Sequence, residues 1–383
     1  MNTADLQSWE AELGRYRLIY GAGRVDQLGR LAREIGGSRV LVVTDPGIRE
    51  AGHVAPALES LKQAGIATRV FEEVDENPTA QHVDEGASIA REHGADCLVG
   101  LGGGSAMDCA KGVNFVLTNG GRMDDYRGTG KATKAMLPSI GIPTTAGSGA
   151  DAQSYALICQ DGTGIKMACG DKKAMFRRVI LDPRLAASVP RQVAAISGVD
   201  AVSHAVESYV TTRRNPVSQM LAREAWRLLE TTLPTILGGT DNSEAWGKML
   251  LGAHLAGAAI EQSMLGAAHA CANPLTARFP IPHGIAVGLM LPHVIRFNAA
   301  HVGPLYEELR LAADPAAPPA LLEERVRELR AIAGLPESLR DYQIPHGCLS
   351  ELAAEAEGQW TAGFNPRPVT RVELLELYEA AHA

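Results

Sequence analysis

Aromatic rings are scarce in this chain, only 5% of 383 residues, although 46% are apolar. A core built from it must be filled by aliphatic and small side chains, and 40 glycines suit close packing of helices on a sheet. Cysteine is also sparse. Cys97, Cys109, Cys159, Cys169, Cys271 and Cys348 include no Cys-x-x-Cys pair, which argues against a disulfide framework and a thiol zinc site and for reduced, buried thiols. Positive charge is in deficit, 36 Lys and Arg against 44 Asp and Glu, a net −8. That excess only keeps the chain soluble and argues against nucleic acid or an anionic membrane as partner. No apolar run looks long enough to span a bilayer. The opening Met1-Asn-Thr-Ala-Asp-Leu-Gln-Ser-Trp-Glu10 lacks a basic start and an apolar stretch, so no signal peptide is expected and the expected location is cytoplasmic.

What is present alternates. Arg39-Val-Leu-Val-Val-Thr44 reads as the first buried strand, residues 54–64 as helix, Ala67–Phe71 as strand, and 82–93 as amphipathic helix. Asp96-Cys-Leu-Val-Gly-Leu101 follows as strand, then a helix from Ala106 to about Val116, then a strand at Ser139–Pro143. This alternation implies an α/β, Rossmann-like domain with a mostly parallel sheet. Beyond Val179-Ile-Leu-Asp182-Pro183 the pattern turns helical: 193–212, 217–237, 244–264, 285–299, 319–333, and 372 to the end. Gly238-Gly-Thr240-Asp241, Pro280-Ile-Pro282 and Gly334-Leu-Pro336 break these stretches. The domain boundary is placed near Pro183–Pro190, giving residues 1–185 as the dinucleotide-binding domain and 186–383 as an all-α domain.

Four polar residues punctuate that helical half. Asp200 and His204 are four apart and so share a helix face. His269 and His283 need two further elements to reach them. Each alone reads as a satisfied core histidine or a helix-start aspartate. Together, one carboxylate and three imidazoles suit Fe²⁺ or Zn²⁺ and point to a metal used as Lewis acid. His293 lies about 80° from His283 at about 100° per residue, which assigns it a structural role. His254 is expected to face the helical core, and His53, His82, His93, His301, His346 and His382 the surface or helix caps.

The α/β half carries two glycine-rich loops, each after a strand: Gly102-Gly103-Gly104-Ser105-Ala-Met-Asp108 and Pro143-Thr144-Thr145-Ala-Gly147-Ser148-Gly149. Glycines let backbone N–H groups approach a pyrophosphate at a helix N-terminus, so the pair suits a dinucleotide lying across strand ends. The G-x-G-x-x-G fingerprint after the first strand is missing, which excludes the commonest variant. Asp45 ends that strand. Its carboxylate suits ribose hydroxyls and disfavours a 2′-phosphate, hence NAD over NADP. By itself it reads equally as a turn residue before Pro46-Gly47.

These features in order resemble the iron-containing (group III) alcohol dehydrogenase family over nearly the whole chain. The resemblance runs through Gly-Gly-Gly-Ser-x-x-Asp-x-Ala-Lys at 102–111, Pro-Thr-Thr-Ala-Gly-x-Gly at 143–149 and Asp-x-x-x-His at 200–204. It continues through Gly-x-x-His at 266–269, Pro-His-Gly at 282–284, Leu-Pro-His at 291–293 and Asn365-Pro-Arg367. It implies two domains with a cleft between them, a homodimer, and Fe²⁺ or sometimes Zn²⁺ on Asp200, His204, His269 and His283. It implies dinucleotide contacts at Asp45, Gly103, Gly104, Ser105, Asp108, Thr144, Thr145, Ser148, Lys166 and Leu181, with Asn77 lining the cleft. The activity implied is hydride transfer between a small alcohol or diol, or the aldehyde, and nicotinamide.

The chain departs from the family pattern at three places. Asn273 stands four residues after His269, where many members place a histidine assigned to proton relay. Asparagine can orient groups but cannot titrate, so it is expected to orient, with water or a ribose hydroxyl moving the proton. Ile260 and Glu261, expected in the substrate pocket, replace a phenylalanine and small polar residues. Gly149-Ala150-Asp151 replaces Gly-Ser-Glu. Two other functions remain open on the residues alone. One is a dehydroquinate synthase-like cyclase using NAD transiently, whose phosphate set would draw on Lys172, Lys173, Arg177 and Arg178. The other is a non-catalytic metal- or nucleotide-binding relative.

Overall fold

The computed structural model describes residues 8–162, 165–239, 242–314, 316 and 321–383. They divide into two compact units, 1–145 with 150–189, and 146–149 with 190–383. The long boundary thus falls four residues beyond the 185/186 expected from the sequence, and the tip of the second glycine loop packs with the helical unit.

The first unit opens with an antiparallel hairpin, β1 (Ser8–Leu13) and β2 (Tyr16–Gly21), then α1 (Leu28–Glu34) and β3 (Arg39–Val43). Next come α2 (Pro46–Glu50), α3 (Val54–Gln63), β4 (Ala67–Phe71), α4 (Ala80–His93), β5 (Cys97–Gly102) and α5 (Gly104–Asn119). The rest is β6 (Gly128–Thr129), β7 (Ser139–Pro143), β8 (Tyr155–Cys159), β9 (Lys166–Gly170), β10 (Arg178–Leu181) and α6 (Pro183–Ala186). Seven strands pair in the order β1-β2-β10-β7-β5-β3-β4, parallel except for the hairpin. β6, β9 and β8 make a small second sheet.

Both faces of the large sheet are covered. Val40, Val42, Val99 and Leu101 pack under α1 and α3 with Leu28, Leu31, Ala57 and Leu61. The opposite face meets α5, where a Cβ on Gly100 would lie 3.2 Å from Met107 and 3.3 Å from Ala110. Double coverage is why the central strands read as unbroken apolar runs. The chain goes from β3 to the edge strand β4 and returns to β5 on the other side of β3. The strand order therefore reverses between β3 and β5, and in open α/β sheets ligands bind at the carboxyl ends of the strands at such a point.

The second unit holds α7 (Arg191–Val210), α8 (Pro216–Leu237), α9 (Ser243–Gln262), α10 (Ala267–Arg278), α11 (His283–Ala313), α12 (Leu322–Ala333), α13 (Leu349–Glu357) and α14 (Arg371–His382). No strand occurs among its described residues. Local chemistry sets the ends. Asn215 caps α8 by accepting from Val217 N and Ser218 N, with Pro216 as first residue, and α12 stops at Gly334 in the left-handed region, φ 70°.

Several expectations need correction. β3 is the third strand, because the hairpin before it alternates apolar with charged residues and its outer strand is largely exposed. α10 and α13 were not among the expected helices, and α13 is only nine residues long, its apolar stripe limited to Leu349, Leu352, Ala353 and Ala356. α10 is buried nearly all round and carries Pro274 inside. α11 runs 14 residues past the expected Ala299, across a non-helical Val302 (φ −132°). By length and composition α11 could also cross a membrane, which His283, His293 and Arg296 obscure in the sequence; 72% of that window is buried inside the protein. His382 is a core residue, 8% exposed, its Nε2 bonded to Ile344 O at 2.9 Å as the last helix folds back. The expected helix start at Pro319, the break at Thr240-Asp241 and residues 1–7 of the N-terminus lie outside the described residues.

Candidate active site

Two clusters of the expected site residues form, one in each unit. In the helical unit α7 presents Asp200, His204 and Glu207 at i, i+4 and i+7, which a 3.6-residue period places on one face. α10 brings His269 in its first turn, and His283 is the first residue of α11. One ligand atom each from Asp200, His269 and His283 lies within 4.8 Å of the other two. His204 adjoins this trio but is not part of it. Its Nε2 is 3.5 Å from Asp200 Oδ1, and its ring stacks on His269 with centroids 5.0 Å apart.

Asp200 Oδ1 and His269 Nε2 face each other at 3.8 Å, beyond hydrogen-bond reach, with both residues at most 9% exposed. Neither atom has a hydrogen-bond partner among the described residues. Buried polar atoms left without partners normally cost roughly 1 kcal/mol or more in a folded protein. Ligand atoms that converge in this way fit a cation, and the set suits Fe²⁺ or Zn²⁺.

The electrostatics agree. Burial would raise the Asp200 carboxyl, but His204, His269 and His283 together hold it well below the usual range. Burial also opposes the His269 imidazolium, yet Glu207 and Asp200 outweigh it and raise the ring to about 9. Burial lowers His204. His293 stands apart. Burial, then Arg327, Arg296 and Arg330, push it down to about 4 against the pull of Glu323, consistent with a structural role.

In the α/β unit the β3 and β5 ends build a cradle. Gly102 has φ +150°, a backbone state that side chains rarely adopt, and a Cβ there would lie 2.9 Å from Ala106 Cβ and 3.0 Å from Asp45 Oδ2. Gly103 begins the 16-residue α5 with no side-chain cap and no acid in its first turn, so its N–H groups stay available to an anion. Asp45 caps α2 through Oδ1, accepting from Ile48 N at 3.0 Å, while burial raises its carboxyl. Ser105 Oγ accepts from the backbone N–H of Asn77, an exposed residue at φ 60°.

Thr144 Oγ1 is buried without a partner, and its N–H donates to Gly102 O at 2.9 Å, joining the two loops. Thr145 Oγ1 would sit 3.4 Å from a Cβ on Gly103. Leu181 is buried at the end of β10, and Lys166 opens β9. Asp108 is 8% exposed, and burial raises it to about 6 although Lys111 and Lys166 pull it down. Ser148 alone of the expected dinucleotide contacts falls in the helical unit.

Ile260 is buried near the end of α9, with Glu261 half-buried beside it. Asn273 Nδ2 donates to Gln359 Oε1 at 3.0 Å, one turn beyond His269. Of the basic residues a cyclase would recruit, Lys173 is already bonded to Ala132 O at 3.0 Å and Asp171 Oδ1 at 3.1 Å.

Residues 16–183 match the family description "Iron-containing alcohol dehydrogenase", and 194–382 match "Fe-containing alcohol dehydrogenase family, C-terminal". Alcohol dehydrogenase 4 of Schizosaccharomyces pombe is 31% identical, with 95% of this chain and 87% of that protein covered. The chain belongs to the iron-containing alcohol dehydrogenase family. NAD-dependent methanol dehydrogenase of Bacillus methanolicus is 28% identical over 95% of this chain and 97% of its own. The crystal structure of a 1,3-propanediol oxidoreductase superposes with a TM-score of 0.92 at 28% identity, covering 98% of this chain and 99% of the other. The protein is thus a metal-dependent oxidoreductase that moves hydride between an alcohol or aldehyde and nicotinamide.

Sequence reasoning overlooked Glu207 in this dehydrogenase. It is 3% exposed; one carboxylate oxygen bonds His269 Nδ1 and the other accepts from Ala268 N at 2.8 Å. Its signal was available, an acid on the Asp200 face of an otherwise apolar helix. The raised His269 has a measurable consequence. Raised to about 9, the metal-free imidazole is expected to hold a second proton, so metal uptake should release about one proton near pH 7 and none by about pH 10. Metal titrations in buffers of different ionisation enthalpy check this; a proton count of zero at pH 7 contradicts it.

Proposed function

We propose that this enzyme oxidises small primary alcohols or diols with NAD and reduces the matching aldehydes. Asp200, His204, His269 and His283 would hold Fe²⁺ or Zn²⁺, and the glycine loops the dinucleotide. The observation that carries the reading is the convergence of Asp200, His269 and His283 in a buried helix interior. A bound divalent ion supplies Lewis acidity toward an alcohol or carbonyl oxygen. The chain supplies alignment and charge. Asp200 contributes the single negative charge among the four, and Glu207 holds the His269 ring.

The α5 N-terminus offers N–H groups to a pyrophosphate, with Gly102 and Gly103 keeping the approach clear. Asp45 favours NAD, since its carboxylate can accept from ribose hydroxyls and would repel a 2′-phosphate. Asp108, Thr144, Thr145, Ser148, Lys166 and Leu181 would complete the contacts, and Asn77, Ile260 and Glu261 would bear on substrate choice. A cytoplasmic homodimer is the setting this reading implies.

The test is metal analysis of anaerobically purified protein, paired with NADH absorbance across alcohols and aldehydes before and after chelation. Near-stoichiometric Fe or Zn with chelator-sensitive NAD reduction is expected. A full complement of metal with no alcohol-dependent NADH across the panel would overturn the reading.

Asn273 has no titratable proton, and its amide is bonded to Gln359, so we assign it an orienting role. Asn273→His should leave metal content unchanged and add an ionisation to the pH–rate profile of alcohol oxidation. A superimposable profile would show that position 273 is not near the proton path.

A further inference from the structure

The Asn365-Pro366-Arg367 segment has no part in the chemistry described so far, yet it reaches the metal-ligand cluster. α10 starts after Gly266, which has no side chain to cap the helix. Its free N–H groups need partners from elsewhere. Ala267 N donates to Asn365 Oδ1 at 3.2 Å, and Ala268 N donates to Glu207 Oε1 at 2.8 Å. Both oxygens lie 3.0 Å from where a Gly266 Cβ would be, so the two side chains fill the space beside the helix start. The other Glu207 oxygen bonds His269 Nδ1. A carboxylate can only accept, so Nδ1 keeps its proton against Glu207, and a metal would displace the proton from Nε2, the nitrogen turned toward Asp200.

Asn365 is itself locked. Asn298 Nδ2 donates to Asn365 Oδ1 at 3.0 Å, and Asn365 Nδ2 donates to Asn298 Oδ1 at 2.8 Å and to Arg367 O at 2.6 Å. Arg367 is pinned in turn, Nη1 donating to Phe297 O at 3.0 Å with the guanidinium 3.7 Å over the Phe297 ring. Both asparagines are at most 3% exposed. The pairing fixes the amide orientation, so the oxygen and not the NH₂ faces Ala267 N–H. Glu207 lies on α7, Asn298 on α11 and His269 on α10, so one buried network joins the three helices that carry the cluster.

We propose that Glu207 and Asn365 are positioning residues for His269. Glu207 sets its tautomer, and Asn365, held by Asn298 and Arg367, fixes the first turn of α10 from which the ring projects. This inference rests on the metal-site reading above. Its probe is Zn²⁺, competed against a chromophoric chelator, in wild type, Glu207→Gln and Asn365→Asp. Glutamine offers one acceptor and one donor to two converging donors, so one bond is lost. Aspartate keeps the bond from Ala267 N but cannot donate to Asn298 or Arg367.

Zn²⁺ affinity should fall about 10- to 100-fold in Glu207→Gln and about tenfold in Asn365→Asp. In the Zn-loaded, ¹⁵N-histidine-labelled protein the low-field His269 Nδ1 proton should be lost or shifted in Glu207→Gln. A purely structural role would lower the unfolding temperature of Zn-free protein and leave affinity and the proton signal unmoved. Both variants binding Zn²⁺ within twofold of wild type would overturn the inference while the metal site stands. A wild type that binds no Zn²⁺ would overturn the metal-site reading, and this inference with it.

Discussion

Asp200→Ala protein is expected to purify without metal and to oxidise alcohols at least about 1,000-fold more slowly than wild type. Once a metal has displaced the second His269 proton, only Asp200 among the four proposed ligands carries charge; burial would raise its carboxyl, but three imidazoles hold it well below the usual range. Without it, neutral rings alone would ligate a divalent ion, and the Glu207 carboxylate, on the far side of the His269 ring, offsets less of the cost of taking that ion out of water. The effect on rate follows from size. Lewis-acid stabilisation is worth several kcal/mol, and each 1.36 kcal/mol, about, is a factor of ten. Asp200→Asn separates charge from shape. It preserves volume and one oxygen, so metal affinity should fall but not vanish. Metal content by elemental analysis and NADH formation at saturating alcohol measure both variants. An inactive Asp200→Ala with a full complement of metal would mean that the carboxylate acts on substrate and not as a ligand.

The sequence carried the parts of this site that local periodicity encodes. Asp200 and His204 stand out because four residues return to one helix face, and the loops at 102–105 and 143–149 because each follows an apolar run. The parallel strands β3, β5 and β7 were legible for a related reason, since they are buried almost throughout and carry nearly unbroken apolar runs, while the edge strand β4, interrupted by Thr68 and Arg69, was legible from its β-branched and aromatic residues. Elements whose signal is tertiary were not legible. β1 is a short edge strand whose one apolar face, Trp9, Ala11 and Leu13, is at most half-buried, and α10 is buried almost all round, so it shows no single apolar face. The Glu207 bond to His269 spans 62 residues and the Asn365 bond to Ala267 spans 98. No window of sequence contains either. Gly149 shows the same limit from the other side. It reads as part of a phosphate loop, but its conformation serves packing against α9.

That packing makes Gly257→Ala a strongly damaging single methyl. A Cβ on Gly257 would lie 2.2 Å from Gly149 O and 2.7 Å from Gly149 Cα. Neither backbone can yield easily. Gly149 sits at φ +59°, and its own Cβ would meet Gly257 Cα at 2.6 Å and Ala253 O at 2.7 Å. The loop is also held from the α7 side, where a Cβ on Gly147 would be 2.6 Å from Ser197 Cβ. To admit the methyl, residues 146–149 must lift away from α9. Overpacking of this kind costs about 1–3 kcal/mol, and more where only backbone is in the way. In a cooperative unit the size of the helical one, 146–149 with 190–383, each kcal/mol moves the melting midpoint by about 2–4 °C. A fall of roughly 5–10 °C is therefore expected on those scales. Ser148 rides on the loop, so NAD affinity should weaken as well, while Asp200, His269 and His283 keep their metal. Gly303→Ala in α11 is the comparison. Its Cβ would meet no neighbouring group among the described residues within 4 Å. Its midpoint should fall less, with NAD affinity unchanged. Equal midpoints for the two variants would show that the loop is not clamped against α9 in solution, and that its glycines are kept for the dinucleotide alone.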